Sequence, residues 1–283
     1  MTAPESTPHP DPLFGGAQQR RITIHDLQRA KERGERWPML TAYDAITARL
    51  FDDAGVPVLL VGDSAANVVY GYSSTIPVTM AELVPLVAAV TRSTTRALVV
   101  ADMPFGSYQS SPEQALGEAA RFLKEGGAHA VKLEGGQRVV PQVEALVGAG
   151  VPVMGHLGLT PQSVNAMGGY RVQGRGGAGE QLIHEAKALE AAGAFAVVLE
   201  AVPAALAARV TQTLGVPTVG IGAGPDCDAQ VNVWQDLVGL TPGPSAKFVK
   251  RYAEVGALIA DAVRSWSADV VSGDYPAVEQ TYN

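Results

Sequence analysis

Two stretches of the chain, GAHAVKLE at residues 127–134 and GAFAVVLE at 193–200, are near copies of each other. Each begins with a glycine and continues as a short apolar run that ends on a glutamate. A second motif, AGVPV at 54–58 and 149–153, recurs slightly changed as LGVPT at 214–218. Both motifs combine a helix end, a glycine turn and a strand start, an order that is typical of repeated β/α units.

Short apolar runs rich in Val, Ile and Leu recur along the chain from residue 21 onward. The eight runs are Met39–Tyr43, Val56–Gly62, Ala97–Asp102, Ala128–Glu134, Val151–Leu157, Ala194–Glu200, Val216–Gly222 and Gln230–Asp236. Continuous apolar runs are typical of parallel strands that are covered by helices. Helix-capping sequences lie between them, TMAE at 79–82 and SPEQ at 111–114. We therefore predict an α/β fold, a single (β/α)8 TIM barrel, with an open doubly wound sheet as the alternative.

The composition limits the domain count. The 283 residues include 21 basic and 28 acidic side chains, giving a formal net charge of −7. This length alone allows one or two domains, and the eight predicted strands favour one barrel domain over residues 21–283. Four prolines fall within positions 4–12, so we expect residues 1–20 to be a disordered extension without chemistry of its own.

The composition also excludes several kinds of partner. The acidic balance and scattered basic residues argue against a nucleic-acid partner. The N-terminus does not resemble a secretory signal, and we find no apolar stretch of membrane-spanning length. The single cysteine, Cys227, cannot form an internal disulfide or a cysteine-rich zinc site. We expect a cytoplasmic protein with no membrane partner.

Three acidic residues end neighbouring apolar runs: Asp63, Asp102 and Glu134. In a barrel, chemistry takes place at the carboxyl ends of the strands, where these side chains would converge. Three hard oxygen ligands without cysteine or a histidine pair favour Mg²⁺, which takes its other ligands from water and substrate. The alternative is that the acids are solvated loop residues or helix N-caps.

Three further polar residues fall on or after the strands. Lys132 shares a strand face with Glu134, where it would hold a substrate oxygen or form a structural ion pair. His156 lies at the end of the fifth run, where it is either a catalyst or a structural imidazole. Glu200 ends the sixth run without a basic neighbour in sequence, which favours a general base over a helix cap.

Two glycine-rich loops remain. GIGAG at 220–224 could admit a phosphate or allow any substrate to approach the backbone closely. The segment 168–179 carries Arg171 and Arg175 between glycines, and it is either a mobile lid or a flexible surface loop.

Several strings in order resemble one family, ketopantoate hydroxymethyltransferase, over about residues 22–275. They are TAYD at 41–44, VGDS at 61–64, ADMPF at 101–105, VKLEGG at 131–136, HLGLTPQ at 156–162, GGYRVQGR at 168–175 and GIGAG at 220–224. The HLGLTPQ and GGYRVQGR strings are long and therefore specific.

The resemblance implies an Mg²⁺-dependent barrel, with one ion per subunit, that moves a one-carbon unit from methylenetetrahydrofolate onto 3-methyl-2-oxobutanoate. By match of motif, Asp63 and Asp102 would bind the metal directly and Glu134 directly or through water. The oxo acid would be held at the ion by these aspartates and by Ser64, Lys132, Tyr43 and His156.

The resemblance also implies that Glu200 is the base that removes the C3 proton of the oxo acid. The charge of Arg171 and Arg175 makes them candidates for binding the anionic folate tail. The family forms homodecamers, so we expect a homo-oligomer with small-molecule substrates.

The chain departs from the family pattern after GRG, where residues 177–179 are Gly-Ala-Gly rather than including an acid, and in its C-terminal tail. Two other functions stay open. One is an Mg²⁺-dependent carbon–carbon lyase or mutase of the isocitrate lyase type, although the chain has no KKCGH-type string. The other is an inert barrel that binds a metabolite, although such a barrel has no need of costly buried acids.

Overall fold

The computed structural model describes residues 12–15, 20–243 and 246–282. Its centre is a closed barrel of eight parallel strands in sequence order. The strands are β1 (Trp37–Thr41), β2 (Val58–Val61), β3 (Leu98–Asp102), β4 (Ala130–Glu134), β5 (Val153–Gly158), β6 (Ala196–Glu200), β7 (Thr218–Ile221) and β8 (Ala229–Asn232). Pairing of Trp37 with Ala229 and of Leu40 with Asn232 closes the barrel. The predicted TIM barrel is confirmed, and the alternative of an open sheet is wrong.

Helices lie between successive strands along most of the chain. The α-helices of the described residues are α1 (Ile24–Glu32), α2 (Ala45–Asp53), α3 (Ala65–Val68), α4 (Met80–Ser93), α5 (Pro112–Lys124), α6 (Val140–Gly148), α7 (Val164–Met167), α8 (Ala178–Ala191), α9 (Ala204–Thr213), α10 (Trp234–Leu237) and α11 (Val255–Ser272). Short 3-10 helices cover Gln137–Val139, Pro161–Ser163 and Val278–Gln280.

The two capping sequences begin helices as predicted. The Thr79 hydroxyl accepts from the backbone N–H of Glu82 at 3.3 Å, and the Glu82 carboxylate accepts from the Thr79 N–H at 2.8 Å. At the start of α5, the Ser111 hydroxyl accepts from the Gln114 N–H at 3.2 Å. Each cap satisfies backbone donors that a helix start leaves free, which fixes where α4 and α5 begin.

Apolar side chains fill the barrel interior. All residues of β2, β3 and β4 are buried. Alternate strand residues such as Met39, Val100, Met154 and Val198 join one buried cluster. Since this packing fills the barrel along its length, polar groups on the strands can reach solvent or substrate only at the ends.

The eighth strand is shorter than predicted. The apolar run suggested Gln230–Asp236, but β8 ends at Asn232 and a single helical turn, α10, begins at Trp234. Polar and apolar residues alternate in β8, where Ala229 and Val231 are buried and Gln230 is exposed. A run in which polar and apolar residues alternate differs less from the polar residues around it than a continuous apolar run does. Its end is therefore harder to place from sequence.

The predicted extension, residues 1–20, lies largely outside the described residues. Within its described part, Leu13 is 1% exposed and packs in the same cluster as Trp37 and Met39. Its N–H donates to Glu35 Oε1, and its carbonyl accepts from Arg96. At Leu13 the structure therefore differs from the expectation of disorder, because this apolar side chain buries its surface at the amino-terminal end of the barrel.

The chain divides into two compact units, Met1–Asn232 and Val233–Asn283. The first contains the eight strands, and the second contains α10 and α11. All residues of α11 are at least partly exposed. The assignment of residues 21–283 to one catalytic domain stays a prediction.

Of the helices in the described ranges, none combines the length and the apolar character of a membrane span.

Candidate active site

Six charged or titratable side chains lie at the carboxyl ends of five consecutive strands. They are Asp63 after β2, Asp102 on β3, Lys132 and Glu134 on β4, His156 on β5 and Glu200 on β6. Strand register pairs Asp102 with Lys132 and Glu134 with His156. The fold thus brings the sequence-predicted residues to one end of the barrel.

The predicted metal ligands are buried acids. Asp63 is 5% exposed, while Asp102 and Glu134 are each 1% exposed. None of the three is an N-cap; the helix after Asp63 has Ser64 in that position. The reading of these acids as solvated loop residues is therefore excluded by their burial, and they require compensating positive charge or hydrogen-bond donors.

Lys132 supplies part of that charge. Its Nζ lies 2.7 Å from Asp102 Oδ1. Burial lowers the pKa of Lys132, but the carboxylates of Asp102, Glu134 and Asp63 outweigh burial and raise this pKa above its ordinary value. Burial raises the pKa of Asp102 to about 7, with Lys132 opposing the shift. Lys132 thus keeps its charge among these acids.

Gln162 links two of the acids, a role that sequence reasoning missed. Its side-chain amide donates to Asp63 Oδ2 at 3.0 Å, and its backbone N–H donates to Glu134 Oε2 at 3.0 Å. The Tyr108 hydroxyl donates to Gln162 Oε1 at 2.8 Å, which orients the amide. Gln162 ends the HLGLTPQ string, so that string contained the signal.

His156 bridges Glu134 and the predicted base. Its Nδ1 lies 3.3 Å from Glu134 Oε1, and its Nε2 lies 3.3 Å from Glu200 Oε2. Burial and Lys132 lower the pKa of His156, but the bonds to Glu134 and Glu200 raise it overall to about 9. The contacts with Glu134 and Glu200 therefore favour the protonated imidazole, which links these two carboxylates.

The backbone around Glu200 is tightly constrained. Ala201, the next residue, has a φ of +47°. Gly158 on β5 has a φ of +91°, and a Cβ there would lie 2.2 Å from the Glu200 carbonyl oxygen. That carbonyl also accepts from the Leu159 N–H at 2.8 Å. Only glycine at 158 allows β5 to approach so closely, which fixes Glu200 at the barrel mouth.

Tyr43 and Ser64 come from the ends of the first two strands. Their hydroxyl oxygens lie 2.8 Å apart. Tyr43 is 3% exposed, and burial raises the pKa of its phenol. The two groups form a neutral hydroxyl pair, which can donate to an anionic ligand without adding charge.

The loop over residues 168–177 places its residues differently. Arg171 and Arg175 are exposed, and in the part of the chain that the structure describes their side chains form no ion pair with the strand-end acids. Burial raises the pKa of Tyr170, and the charges of Asp63, Glu200 and Glu134 raise it further. In this loop, Tyr170 is thus a residue whose pKa is raised by the charges of the strand-end acids.

The GIGAG loop contains two close contacts. A Cβ at Gly220 would lie 3.0 Å from Cys227 Sγ, and a Cβ at Gly224 would lie 2.4 Å from the Ala204 Cβ. Internal packing therefore accounts for these two glycines.

The donor set fits a hard divalent cation. Asp102 Oδ1 and Glu134 Oε1 are buried, and each lies beside a cationic or titratable group, Lys132 Nζ at 2.7 Å and His156 Nδ1 at 3.3 Å. Within the described ranges, no group of three or more His, Cys, Asp or Glu side chains is arranged so that it could hold a metal ion by itself. One or two carboxylates suffice for Mg²⁺, because water and substrate oxygens complete its coordination.

Comparison with known proteins identifies the family of the chain. The family model described as ketopantoate hydroxymethyltransferase matches residues 21–278. The chain belongs to the ketopantoate hydroxymethyltransferase family. It is 65% identical over 277 residues to a 3-methyl-2-oxobutanoate hydroxymethyltransferase of Thermobifida fusca, covering 98% of each chain. It is 67% identical to one of Frankia alni, covering 93% of this chain and 86% of that one. This member of the ketopantoate hydroxymethyltransferase family is therefore a transferase enzyme.

Solved structures of more distant proteins share the fold. A phosphonopyruvate hydrolase complex with oxalate and Mg²⁺ aligns with a TM-score of 0.60 at 14% identity, covering 92% of this chain and 93% of that one. A 2,3-dimethylmalate lyase of the PEP mutase/isocitrate lyase superfamily aligns at 0.57 and 18% identity, covering 92% and 91%. At such low identity these similarities show the barrel fold alone.

Proposed function

We propose that this ketopantoate hydroxymethyltransferase family member transfers a hydroxymethyl group from methylenetetrahydrofolate to 3-methyl-2-oxobutanoate. The product is 2-dehydropantoate, which serves pantothenate synthesis. The observation that carries the proposal is Glu200, held by His156 at 3.3 Å beside three buried acids and a buried lysine. This arrangement suits the removal of a proton next to a polarised carbonyl.

Asp63 and Asp102 would hold a single Mg²⁺ directly, and Glu134 would do so directly or through water. Four carboxylates at this end of the barrel outnumber the two cationic side chains, Lys132 and His156, so a divalent cation would balance the excess charge. When bound, the ion polarises the keto oxygen of the oxo acid and makes the C3 proton more acidic.

Four other residues would hold the oxo acid. Lys132 directs its charge at the oxygen on which negative charge develops, so it stabilises the transition state more than the ground state. The hydroxyls of Tyr43 and Ser64, 2.8 Å apart, offer further donors at the same end of the barrel. His156, whose ring nitrogens face Glu134 and Glu200, would contribute by its charge.

Glu200 would then take the C3 proton. Its side chain is 17% exposed, whereas His156 beside it is 3% exposed, so Glu200 can be reached from the barrel mouth. His156, whose Nε2 lies 3.3 Å from Glu200 Oε2, holds the carboxylate in position for this transfer.

The new carbon–carbon bond would form between C3 and the methylene carbon of the folate. As this bond forms, the bond from the methylene carbon to one folate nitrogen breaks, and water then displaces the second nitrogen and supplies the hydroxyl oxygen. Each nitrogen keeps its bonding electron pair and gains a proton, one from C3 through Glu200 and one from water. Arg171 and Arg175, both exposed, would bind the anionic folate tail. Glutamine at both positions is then expected to raise the folate KM, and an unchanged KM would remove this role.

A carbon–carbon lyase of the isocitrate lyase type is the competing function, because proteins of that superfamily share the fold. The chain has one cysteine, Cys227, which is buried in the PDCD segment at 225–228 beside Gly220. It is therefore not a reactive thiol at the barrel mouth, and the family match favours the transferase over the lyase.

A product assay separates these functions. The enzyme is incubated with Mg²⁺, 3-methyl-2-oxobutanoate and methylenetetrahydrofolate, and products are followed by mass spectrometry. We expect 2-dehydropantoate, which disappears on chelation of the metal. Cleavage of an oxo or hydroxy acid without folate would support the lyase instead.

We propose, by family resemblance, that the enzyme is a cytoplasmic homodecamer. The single cysteine fits a reducing compartment. On α11, the side chains of Ile259, Val263, Trp266 and Val270 follow helical spacing and are each about half exposed. An apolar stripe of this kind is typical of a surface that another subunit covers.

A further inference from the structure

A cavity of about 600 Å³ lies next to the strand-end acids. Its walls include Gly135 and Gly136, which follow Glu134, and Leu157, which follows His156. Because side chains alternate along a strand, Leu157 faces the opposite side of β5 from His156. The cavity therefore borders the ends of β4 and β5 on their outer side, one residue away from the candidate active site.

Two opposite charges face this cavity without pairing with each other. Glu185 on α8 and Arg138 both line it, and no ion pair joins them among the described residues. The Glu185 carboxylate accepts from the Gln181 side chain at 3.3 Å, and the Arg138 guanidinium donates to Ser163 Oγ at 2.9 Å. Most of the hydrogen-bonding capacity of both groups is left for a ligand.

The backbone at Gly136 makes room for Glu185. A Cβ at this position would lie 2.4 Å from Glu185 Cδ, so any larger residue would displace the carboxylate. The glycine thus lets the carboxylate lie against the loop after β4, which lines the cavity.

We infer that this cavity binds the pterin ring of the folate co-substrate, an inference that rests on the proposed function. A pterin presents two adjacent donors, N3–H and the 2-amino group, beside the acceptor O4. The Glu185 carboxylate accepts from the two donors, and the Arg138 guanidinium donates to O4.

The rest of the cavity suits the same ring. Leu157, Ala166 and Met167 provide an apolar wall, and Thr160 and Ser163 add hydroxyls. A volume of about 600 Å³ is in the range of pockets that bury a small ring system.

The test measures binding of 6-methyltetrahydropterin, which has no glutamate tail, to the Mg²⁺-loaded enzyme by calorimetry. Glu185→Gln is expected to weaken this binding about tenfold or more and to raise the KM for methylenetetrahydrofolate similarly. Arg138→Met is expected to act in the same direction. The matched control is Glu180→Gln, on the same helix but paired with Arg209 at the surface.

Proton exchange at C3 of the oxo acid, measured without folate, is expected to be unchanged in both cavity variants. If the wild type is active and Glu185→Gln binds the pterin with unchanged affinity, the assignment of the cavity is wrong, but the proposed function is not affected. A wild-type enzyme that shows neither exchange nor transfer would overturn the proposed function itself.

Discussion

Gln162 holds two carboxylates from different strands through two separate N–H donors. Groups that orient metal-binding carboxylates commonly change metal affinity when they are removed. Gln162→Leu is therefore expected to weaken Mn²⁺ binding, measured by electron paramagnetic resonance, about tenfold. Gln28→Leu removes an amide bond to the Gly215 carbonyl on the protein surface and serves as the control. Equal Mn²⁺ affinity in the wild type and in Gln162→Leu would show that Asp63 and Glu134 do not need this support.

His129 gives the fold a pH dependence that is separate from the active site. Its Nδ1 accepts from the Val99 N–H at 3.0 Å. Burial, with the nearby charge of Arg21, lowers the pKa of His129 from 6.5 to about 4. The folded state thus favours the neutral ring, and its contribution to stability is complete above pH 6.5 and is lost as the pH falls toward 4.

His129→Asn keeps an acceptor for Val99 but cannot titrate. The variant is expected to lose less unfolding free energy than the wild type between pH 6.5 and 4. The difference should be about 1–2 kcal/mol, since the ring is half-buried and solvent screens part of the effect. Urea unfolding at several pH values measures it, with the exposed His184→Asn as the control. If the unfolding free energies of the wild type and of His129→Asn changed in parallel with pH, His129 would not be the source of this pH dependence.

Charged residues of the candidate site could be predicted because each one ends an apolar run, where a charge is conspicuous. Asp63, Asp102, Lys132, Glu134 and Glu200 were found in this way. Gln162 lies in the 3-10 helix Pro161–Ser163 and Tyr108 lies in a loop, and neither carries a charge, so composition and spacing do not distinguish them from solvated polar residues. Their role arises from contacts between segments that are 54 residues apart in the chain.

At the level of elements, the junction of β5 and β6 depends on Gly158. Gly158→Ala would place a Cβ 2.2 Å from the Glu200 carbonyl and 2.7 Å from Val202 Cγ1, at a φ of +91°. The expected loss of unfolding free energy is about 2–4 kcal/mol, from overpacking and from the left-handed backbone. Activity should fall as well, because the strand that carries Glu200 must shift.

Thermal and urea unfolding measure this loss, and Gly117→Ala is the matched control. Gly117 lies inside α5, where an added Cβ meets no atom within 4 Å. Alanine there is expected to stabilise the helix by about 0.5–1 kcal/mol. If Gly158→Ala were as stable as wild type, β5 and β6 could not be packed as closely as described.

Strands and helix starts were predictable to the extent that local chemistry determines them. Thr79 and Ser111 begin helices because their hydroxyls satisfy nearby N–H groups, which is a short-range effect. The end of β8 depends on Leu40, which pairs with Asn232, and the burial of Leu13 depends on Trp37, so both depend on partners distant in sequence. No window of neighbouring residues contains that information.

At the level of the whole molecule, the proposed homodecamer predicts a mass. Ten chains of 29.4 kDa give about 294 kDa, which light scattering after gel filtration measures directly.

A substitution in the apolar stripe on α11 tests whether another subunit covers it. Trp266→Glu is expected to shift the enzyme toward smaller species, because it places a charge in a covered surface. Asp274→Glu, at an exposed polar position, is the control. A wild-type mass near 29.4 kDa would refute the oligomer.

The central claim, that Glu200 removes the C3 proton of the oxo acid, has a direct test. The enzyme is incubated with Mg²⁺ and 3-methyl-2-oxobutanoate in D₂O without folate, and the C3 hydrogen is followed by NMR. We predict exchange in the wild type and in Glu180→Gln, and a loss of about 100-fold or more in Glu200→Gln and on metal chelation. Exchange at the wild-type rate in Glu200→Gln would contradict the account.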